Sequence, residues 1–322
     1  MKKLLSVVCT AAMLTLTATS TLAQTYPSKP IKIVVPFGPG GFTDVVARIL
    51  GVKLGESLGQ SVVIENKPGA GSTIGSDMVA KSAPDGHTLL IVSSTHVISP
   101  WIYKSIPYDP IKSFAPVTKL VDSPYVLLTN PKVPAKNVQE FIALAKAQPD
   151  KIHFASSGNG SAQHLIGGLF ASMTKTQLKH VPYRSSSLAA TDLVAGVVES
   201  SFAGVPNALA QVPNGRLNAL AVTSAKRIPQ LPNVPTMQEA GVPGYDATIW
   251  LAMLAPAGTP SSIVSRLNNE ISKIMNTPET QKAMFDAGVE VSLSTPAAMS
   301  QLMVSEMEKW GKVVKEAGVK LE

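Results

Sequence analysis

The strongest chemical signal in the sequence is a glycine-rich turn between an apolar strand and a helix. This first glycine loop, residues 37–43, reads Phe-Gly-Pro-Gly-Gly-Phe-Thr. Glycine lets a backbone approach a ligand closely, and the first turn of the following helix offers unpaired N–H groups at the positive end of its dipole. Thr43 can cap that helix or donate to a carboxylate. The pattern favours a small anion, and a purely structural turn fits it equally well. It matches neither a Walker loop nor a dinucleotide-binding loop.

A second turn of the same kind lies in the other half of the chain. This second glycine loop, residues 157–161, reads Ser-Gly-Asn-Gly-Ser and again follows an apolar strand. A hydrolase with Ser161 as nucleophile and His164 as base is the rival interpretation. We do not favour it, because the residues around Ser161 depart from the Gly-x-Ser-x-Gly elbow. Two such loops, one per half, are more specific than either alone, since ligands of open α/β sheets bind at the carboxyl ends of strands.

Weaker candidates surround these loops. A third glycine loop, residues 68–72, is better interpreted as a structural turn. Arg184 follows Tyr183 at the end of a strand and could pair with a second carboxylate bidentately, although a surface ion pair fits equally well. The five histidines show no close metal-ligand spacing, and no pair of carboxylates stands out. We therefore expect no enzyme activity, no cofactor and no metal.

The composition excludes several classes of protein. Of 322 residues, 45% are hydrophobic and only 15% are charged, so the chain can build a packed core and is not a disordered acidic chain. The 28 basic residues are scattered among 21 acidic ones, and aromatic residues make up 5%. Nucleic-acid binders usually show a basic stripe or stacking aromatics. We therefore expect no nucleic-acid partner.

The first 23 residues have the pattern of a secretory signal peptide. Two lysines precede an apolar run over residues 4–16, and Thr-Leu-Ala at 21–23 resembles a cleavage site. The run is shorter than the roughly 20 residues that a membrane-spanning helix needs. Cleavage after Ala23 would also remove Cys9, the only cysteine. We expect an exported, soluble mature chain without disulfides.

Hydrophobic periodicity predicts alternating strands and helices. The predicted strands span residues 32–37, 61–65, 87–93, 115–120, 125–129, 152–156, 178–183, 197–202, 217–223 and 248–255. The predicted helices span residues 43–58, 72–82, 138–147, 161–173, 188–195, 237–240, 261–275 and 296–317. Such alternation indicates an α/β fold with largely parallel, mixed sheets and helices on their faces.

The pattern also indicates two similar halves. We expect a first lobe of residues 24–122 plus 248–322, and a second lobe of residues 123–247. The last helices would return to cover the first sheet. A chain that crosses twice between two lobes makes a hinge, with the ligand cleft between the lobes.

A series of motifs along the whole mature chain resembles a known family. They occupy residues 26–31, 34–37, 39–44, 65–71, 83–86, 155–161, 164–165, 181–183, 221–227, 235–236, 254–260 and 310–314. These motifs resemble the extracytoplasmic solute receptors of tripartite tricarboxylate transporters, called Bug receptors. The resemblance implies a monomeric, two-lobed periplasmic binding protein of the Venus-flytrap type, which closes on a small carboxylate and delivers it to a membrane permease.

The resemblance also implies which residues bind the ligand. They are Phe37, Gly40, Gly41, Phe42, Thr43, Ser157, Asn159, Gly160, Ser161, His164, Tyr183, Arg184 and Ala203. A sensor that presents its closed form to a membrane sensor kinase is the alternative that the same resemblance allows. In a deletion strain, loss of uptake indicates transport, whereas loss of induction with uptake intact indicates sensing.

Three positions depart from the family pattern. The first loop has Gly38 where the family usually has proline, and Arg184-Ser185 replaces Lys-Gly. Ala203-Gly204 replaces Asp-Asn. Loss of that acid removes a partner for an ammonium group and makes the cleft roomier and less repulsive to a second anionic end. We therefore expect a dicarboxylate rather than an amino acid, with an aromatic body such as that of terephthalate, for which Phe37 and Phe42 would be stacking faces.

Overall fold

The computed structural model of the chain describes residues 26–316, so the predicted signal peptide lies outside the described residues. The strands are β1 Ile31–Val35, β2 Val62–Asn66, β3 Thr88–Ser93, β4 Phe114–Ser123, β5 Tyr125–Thr129, β6 Ile152–Ser156, β7 Leu178–Pro182, β8 Ser200–Gly204, β9 Asn218–Val222, β10 Ile249–Pro256 and β11 Glu290–Val291. The helices are α1 Phe42–Leu58, α2 Thr73–Ala80, α3 Thr95–Ile98, α4 Val138–Ala147, α5 Ala162–Thr174, α6 Ser186–Ala195, α7 Val205–Gln211, α8 Ser261–Met275, α9 Pro278–Asp286 and α10 Pro296–Glu316.

The strands form two mixed sheets, which confirms the predicted fold class. The first sheet has the order β11-β4-β10-β3-β1-β2, and the second has the order β7-β6-β8-β5-β9. In the first sheet β1 runs parallel to β2 and β3, while β10 is antiparallel to β3 and β4. In the second sheet β6 runs parallel to β7 and β8, while β5 is antiparallel to β8 and β9.

Strand β1 shows why its sequence is a continuous apolar run. Ile33 and Val35 belong to one hydrophobic cluster and Val34 to another. Strands covered on both faces bury successive side chains, so alternation of polar and apolar residues disappears. Helix α8 lies against α1 and β4, and α10 lies against α3 and β4, so the chain's last long helices do return to the first sheet as predicted.

The chain passes between the sheets at two points that lie side by side. Strand β4 ends at Ser123 and β5 begins two residues later, while Ile249 at the start of β10 pairs with Ser123. Between them, the buried hydroxyl of Thr223 accepts a hydrogen bond from the Tyr125 N–H at 2.8 Å and donates to the Ala247 carbonyl at 2.9 Å. One side chain therefore ties both connections together. The lobe limits proposed above stay a prediction.

Two element predictions were wrong. Residues 237–240 form a turn rather than a helix. Thr236 and Glu239 exchange hydrogen bonds as in a helix start, but Gly241 takes a left-handed φ of 91° and a proline follows at 243, so the turn ends there. Strand β8 starts at Ser200 instead of residue 197, because the Val197 N–H closes the end of α6 by donating to the Asp192 carbonyl.

Four short elements were not predicted. They are α3, α7, α9 and β11, of which β11 has two residues and α3 has four. Helices of one or two turns present too few apolar positions to establish a period. Helix α9 also has a weak hydrophobic pattern in the sequence, since its buried residues are only Thr280 and Met284.

Replacing Thr223 with valine should lower the free energy of unfolding by about 1–3 kcal/mol, because the Tyr125 N–H and the Ala247 carbonyl lose their shared partner inside the protein. Thr129→Val is the matched control, since Thr129 is fully buried in β5 and its hydroxyl has no hydrogen-bond partner. That control should be neutral or stabilising. Urea denaturation of both variants measures the difference, and equal losses would contradict the role assigned to Thr223.

Candidate functional site

The first glycine loop leaves the start of α1 open. Gly40 has a left-handed φ of 75°, and Gly41 is the N-cap of the helix without any side-chain hydrogen bond to it. The first intrahelical bond runs from the Val45 N–H to the Gly41 carbonyl. The N–H groups of the first turn therefore have no capping side chain, and they lie at the carboxyl end of β1, where an anion would be favoured.

Asp44 holds this loop in shape. Its buried carboxylate accepts hydrogen bonds from the Gly40 N–H at 2.8 Å, Arg48 Nε at 2.9 Å and Asn66 Nδ2 at 2.9 Å. Burial opposes ionisation of Asp44, but these hydrogen bonds and the charge of Arg48 outweigh it, so the pKa of Asp44 lies below its ordinary value. The structure shows a paired charge that braces the loop.

The other predicted residues of the first loop are partly or fully buried. Thr43 is 5% exposed, at the second position of α1. The rings of Phe37 and Phe42 are half-buried and pack against the hydrophobic cluster on the α1 side of the first sheet. Each ring therefore has one side on the core, which fixes its position.

The second glycine loop is braced by neutral groups. Gly158 and Gly160 have φ values of 122° and 70°, which favour glycine. The Ser157 N–H donates to Gln163 Oε1 at 2.7 Å, and the Gly160 N–H donates to His164 Nδ1 at 3.2 Å. Because Nδ1 is an acceptor here, a neutral His164 carries its proton on Nε2, which makes that atom a donor.

The geometry does not support a Ser161–His164 catalytic pair. The Ser161 hydroxyl is the N-cap of α5 and accepts a hydrogen bond from the backbone N–H of His164 at 3.3 Å. The imidazole of His164 is engaged with Gly160 instead. Ser161 thus starts the helix, as the Ser/Thr/Asp/Asn preference at N-caps explains.

His164 stacks on a second histidine beneath the loop. The ring centroids of His164 and His180 are 3.8 Å apart with an angle of 6° between planes, and the centroid of the Phe154 ring lies 5.0 Å from that of His180. The Ser156 hydroxyl is hydrogen-bonded to His180 Nε2. Burial and then the proximity of His164 lower the pKa of His180 to about 3, so this ring is neutral at physiological pH.

Tyr183 lies beside the second loop. Its N–H donates to the Ser156 carbonyl at 2.9 Å, and its hydroxyl donates to Asp192 Oδ2 at 2.7 Å. Burial, then the hydrogen bond to Asp192, raise the pKa of Tyr183 to about 12. Arg184 is exposed, whereas Ala203 is buried in the hydrophobic cluster that Tyr183 also contacts. The structure therefore groups the second loop, His164 and Tyr183, with Arg184 at the rim.

Several residues at the site were not predicted from the sequence. Asn66 and Gln163 brace the two loops, and Ile102 and Tyr103 approach the second loop from the half of the chain that forms the first sheet. Asn66 is the last residue of β2, two positions before the third glycine loop, so a polar residue at a strand end was the available signal. Within residues 26–316, the structure shows no cluster of three or more metal-ligating His, Cys, Asp or Glu side chains. None of the helices in that range is long and apolar enough to cross a membrane.

Comparison with known proteins gives a consistent set of similarities. Residues 46–319 match the family model described as the tripartite tricarboxylate transporter family receptor. The chain is similar to the structure of the periplasmic binding protein BugD, with 36% identity, a TM-score of 0.84 and coverage of 92% of this chain and 100% of the other.

Two further solved structures carry a ligand in their titles. Rpa4515 of R. palustris with adipate is 34% identical, with a TM-score of 0.87 over 92% of this chain and 100% of that one. MatC of Rhodopseudomonas palustris with bound malate is 33% identical, with a TM-score of 0.83 over 90% of this chain and 100% of that one.

Asp44→Asn should lower the free energy of unfolding by about 1.5–3 kcal/mol, because an amide cannot accept all the hydrogen bonds that the carboxylate receives. Asp286→Asn is the control, since Asp286 pairs with Lys282 at the same four-residue spacing but with 58% of its side chain exposed. That loss should stay below about 1 kcal/mol. Chemical denaturation measures the loss of unfolding free energy in the two variants. Equal losses would contradict the role of Asp44 in holding the loop.

His180→Phe should reduce the sensitivity of stability to acid. The folded protein keeps His180 neutral down to a pKa of about 3, whereas the unfolded chain takes up a proton near the ordinary histidine pKa of 6.5. Stability is therefore lost as pH falls below 6.5. The measurement is the change in unfolding free energy between pH 7 and pH 5, a range in which carboxylates stay mostly ionised. This change should be smaller in the His180→Phe variant than in the wild-type protein.

His96 is also buried, with a pKa of about 4, and it contributes equally to the pH dependence of stability in the wild-type protein and in the variant. Phenylalanine keeps the stacking with Phe154 and His164 while removing the titrating group. Identical pH dependence of the two proteins would show that His180 does not titrate as its surroundings indicate.

Proposed function

The chain belongs to the receptor family of tripartite tricarboxylate transporters, and on that premise we propose that it captures a small carboxylate between two lobes and delivers it to the permease of such a transporter. Relatives in this family are solute-binding receptors, which are not enzymes. The observation that carries the proposal is the pair of glycine loops, each placed between a strand end and a helix start, one in each sheet.

The first loop would bind one carboxylate through its backbone. The uncapped start of α1, with its helix dipole, supplies N–H donors at Gly41, Phe42 and Thr43. Asp44 is ionised in this loop, but Arg48 pairs with it. The local charge is thereby balanced, and an incoming anion is not repelled by an unpaired carboxylate.

The second loop would bind through neutral side-chain donors. The Ser157 and Gly160 N–H groups hold the loop. The side chains of Ser157, Asn159 and His164 are the groups proposed to meet the ligand. Tyr183 supports the loop from below, since its own hydroxyl is engaged with Asp192. Arg184 at the rim supplies the one full positive charge of this set.

We propose a dicarboxylate as the ligand class. Ala203 brings no acid at its position, so the second lobe repels a second anionic end less and offers one partner fewer to an ammonium group. Two similar proteins have structures titled with adipate and malate, both of which are dicarboxylates. The favoured ligand is an aromatic dicarboxylate such as terephthalate, with Phe37 and Phe42 beside its first carboxylate.

The proposed setting is the periplasm, where the mature chain would act as a monomer after cleavage of residues 1–23. A similar protein is titled a periplasmic binding protein. The lobes proposed to close on the ligand are residues 24–122 with 248–322, and residues 123–247. The two connections joined by Thr223 would be the hinge between them.

A thermal-shift screen of the refolded mature chain tests the proposal. Refolding removes any ligand that was purified with the protein. Adipate, malate and terephthalate are compared with aspartate, and at least one dicarboxylate should raise Tm. A ligand that binds only the folded form adds about 2.7 kcal/mol at 100 times its Kd.

Adipamide is the matched control compound, because it keeps the body of adipate and lacks both charges. It should give no shift. Absence of any shift with carboxylates would contradict the proposed function, and tight binding of aspartate would contradict the proposed ligand class.

A further inference from the structure

Two residues from the half of the chain that forms the first sheet reach the second glycine loop. A Cβ atom built on Gly160 would lie 3.1 Å from Cγ2 and 3.3 Å from Cδ1 of Ile102, and 3.6 Å from the hydroxyl of Tyr103. Ile102 is only 2% exposed. The approach is therefore tight on the Gly160 side, where there is no room for a side chain without movement of Ile102.

Tyr103 also fills the space beside the third glycine loop. A Cβ atom on Gly71 would collide with the Tyr103 hydroxyl, and would lie 2.7 Å from its Cε2. Gly71 has a φ of 59°, which independently favours glycine. The tyrosine ring thus lies against glycines of two different loops, one before it in the chain and one in the second lobe.

The segment that carries these residues is anchored to the first sheet. It follows β3 and α3, and the N–H groups of Ile102 and Tyr103 donate to the Ser99 carbonyl at 3.1 and 3.0 Å. The Ser99 hydroxyl in turn donates to the Thr95 carbonyl at 2.8 Å. Ile102 and Tyr103 therefore move with the first sheet, while Gly160 moves with the second.

We propose that Ile102 and Tyr103 form the contact by which the first lobe packs against Gly160 when the two lobes close. This closure contact would position the second glycine loop for the ligand. This inference rests on the proposed function, since it requires a receptor that opens and closes. The Gly160 N–H donates to His164 Nδ1, so a shift of Gly160 is transmitted to the ring of His164, which is one of the residues proposed to bind the carboxylate. Tyr103 is a positioning residue in this scheme.

The effect on ligand affinity follows from the equilibrium between the open and the closed form. A contact made only in the closed form raises the closed fraction, and the apparent affinity scales with that fraction. Disturbing the contact should therefore weaken every ligand by a similar factor, without a change in which ligand is preferred. A residue that touched the ligand selectively would change the preference instead.

The first experiment compares Gly160→Ala with Gly215→Ala. Gly215 has nearly the same backbone, with φ of 67° against 70°, and a Cβ there meets nothing within 4 Å. Both variants carry the same backbone strain, and only the first meets Ile102. Gly160→Ala should weaken adipate and malate by at least tenfold in titration calorimetry, and Gly215→Ala should not change them. Equal affinities of the two variants would overturn the proposal.

The second experiment needs no ligand. The chain from residue 24 onwards contains no cysteine, so Ile102→Cys combined with Gly160→Cys introduces a single pair. Oxidation should form a disulfide and reduce the radius of gyration in small-angle scattering, because it traps the closed form. Ile102→Cys with Gly215→Cys is the control and should form no intramolecular disulfide.

Two outcomes of the second experiment would overturn the proposal. If no disulfide forms, the contact is not made in solution. If it forms without a change in the radius of gyration, the contact is permanent packing rather than closure. Failure of the proposed function has a different signature, since the wild-type protein would then bind no carboxylate whatever the disulfide result.

Discussion

The hydroxyl of Thr223 is the interaction on which the two-sheet arrangement depends. It accepts from one connection and donates to the other, so Tyr125 and Ala247 share one buried atom. Pairing of Ser123 with Ile249 adds a backbone contact next to it. The two connections are therefore held side by side at one place, which is where the hinge of the proposed receptor would lie.

The two glycine loops have the same outline and different internal supports. The first is held by an ionised carboxylate, Asp44, whose charge is balanced by Arg48. The second is held by the neutral side chains of Gln163 and His164. Neither loop thus contributes an unbalanced charge. In the proposed binding mode, backbone dipoles and neutral donors would provide recognition, and such groups impose stricter geometry on an anion than a flexible cation does.

The sequence predicted those features whose signals are local. Helix α4 and strand β6 were predicted to the residue, and in the structure the Asn137 side chain caps the start of that helix. The glycine loops were placed for the same reason. Contacts between distant segments were beyond reach, as with Asn66, whose partner Asp44 lies 22 positions away, and Ile102, whose partner lies some sixty positions away. No periodicity or spacing links such residues, since only the folded chain brings them together.

The strand order of the first sheet has a consequence for how the protein folds. Strand β10 lies between β3 and β4, yet it is made last of the three. A chain that emerges N-terminus first therefore leaves β3 and β4 with open edges until residue 256 is available, and open edges are where chains aggregate. The second sheet comes from the continuous stretch 125–222 and can be complete earlier. The second sheet can therefore be finished before β10 is made and completes the first sheet.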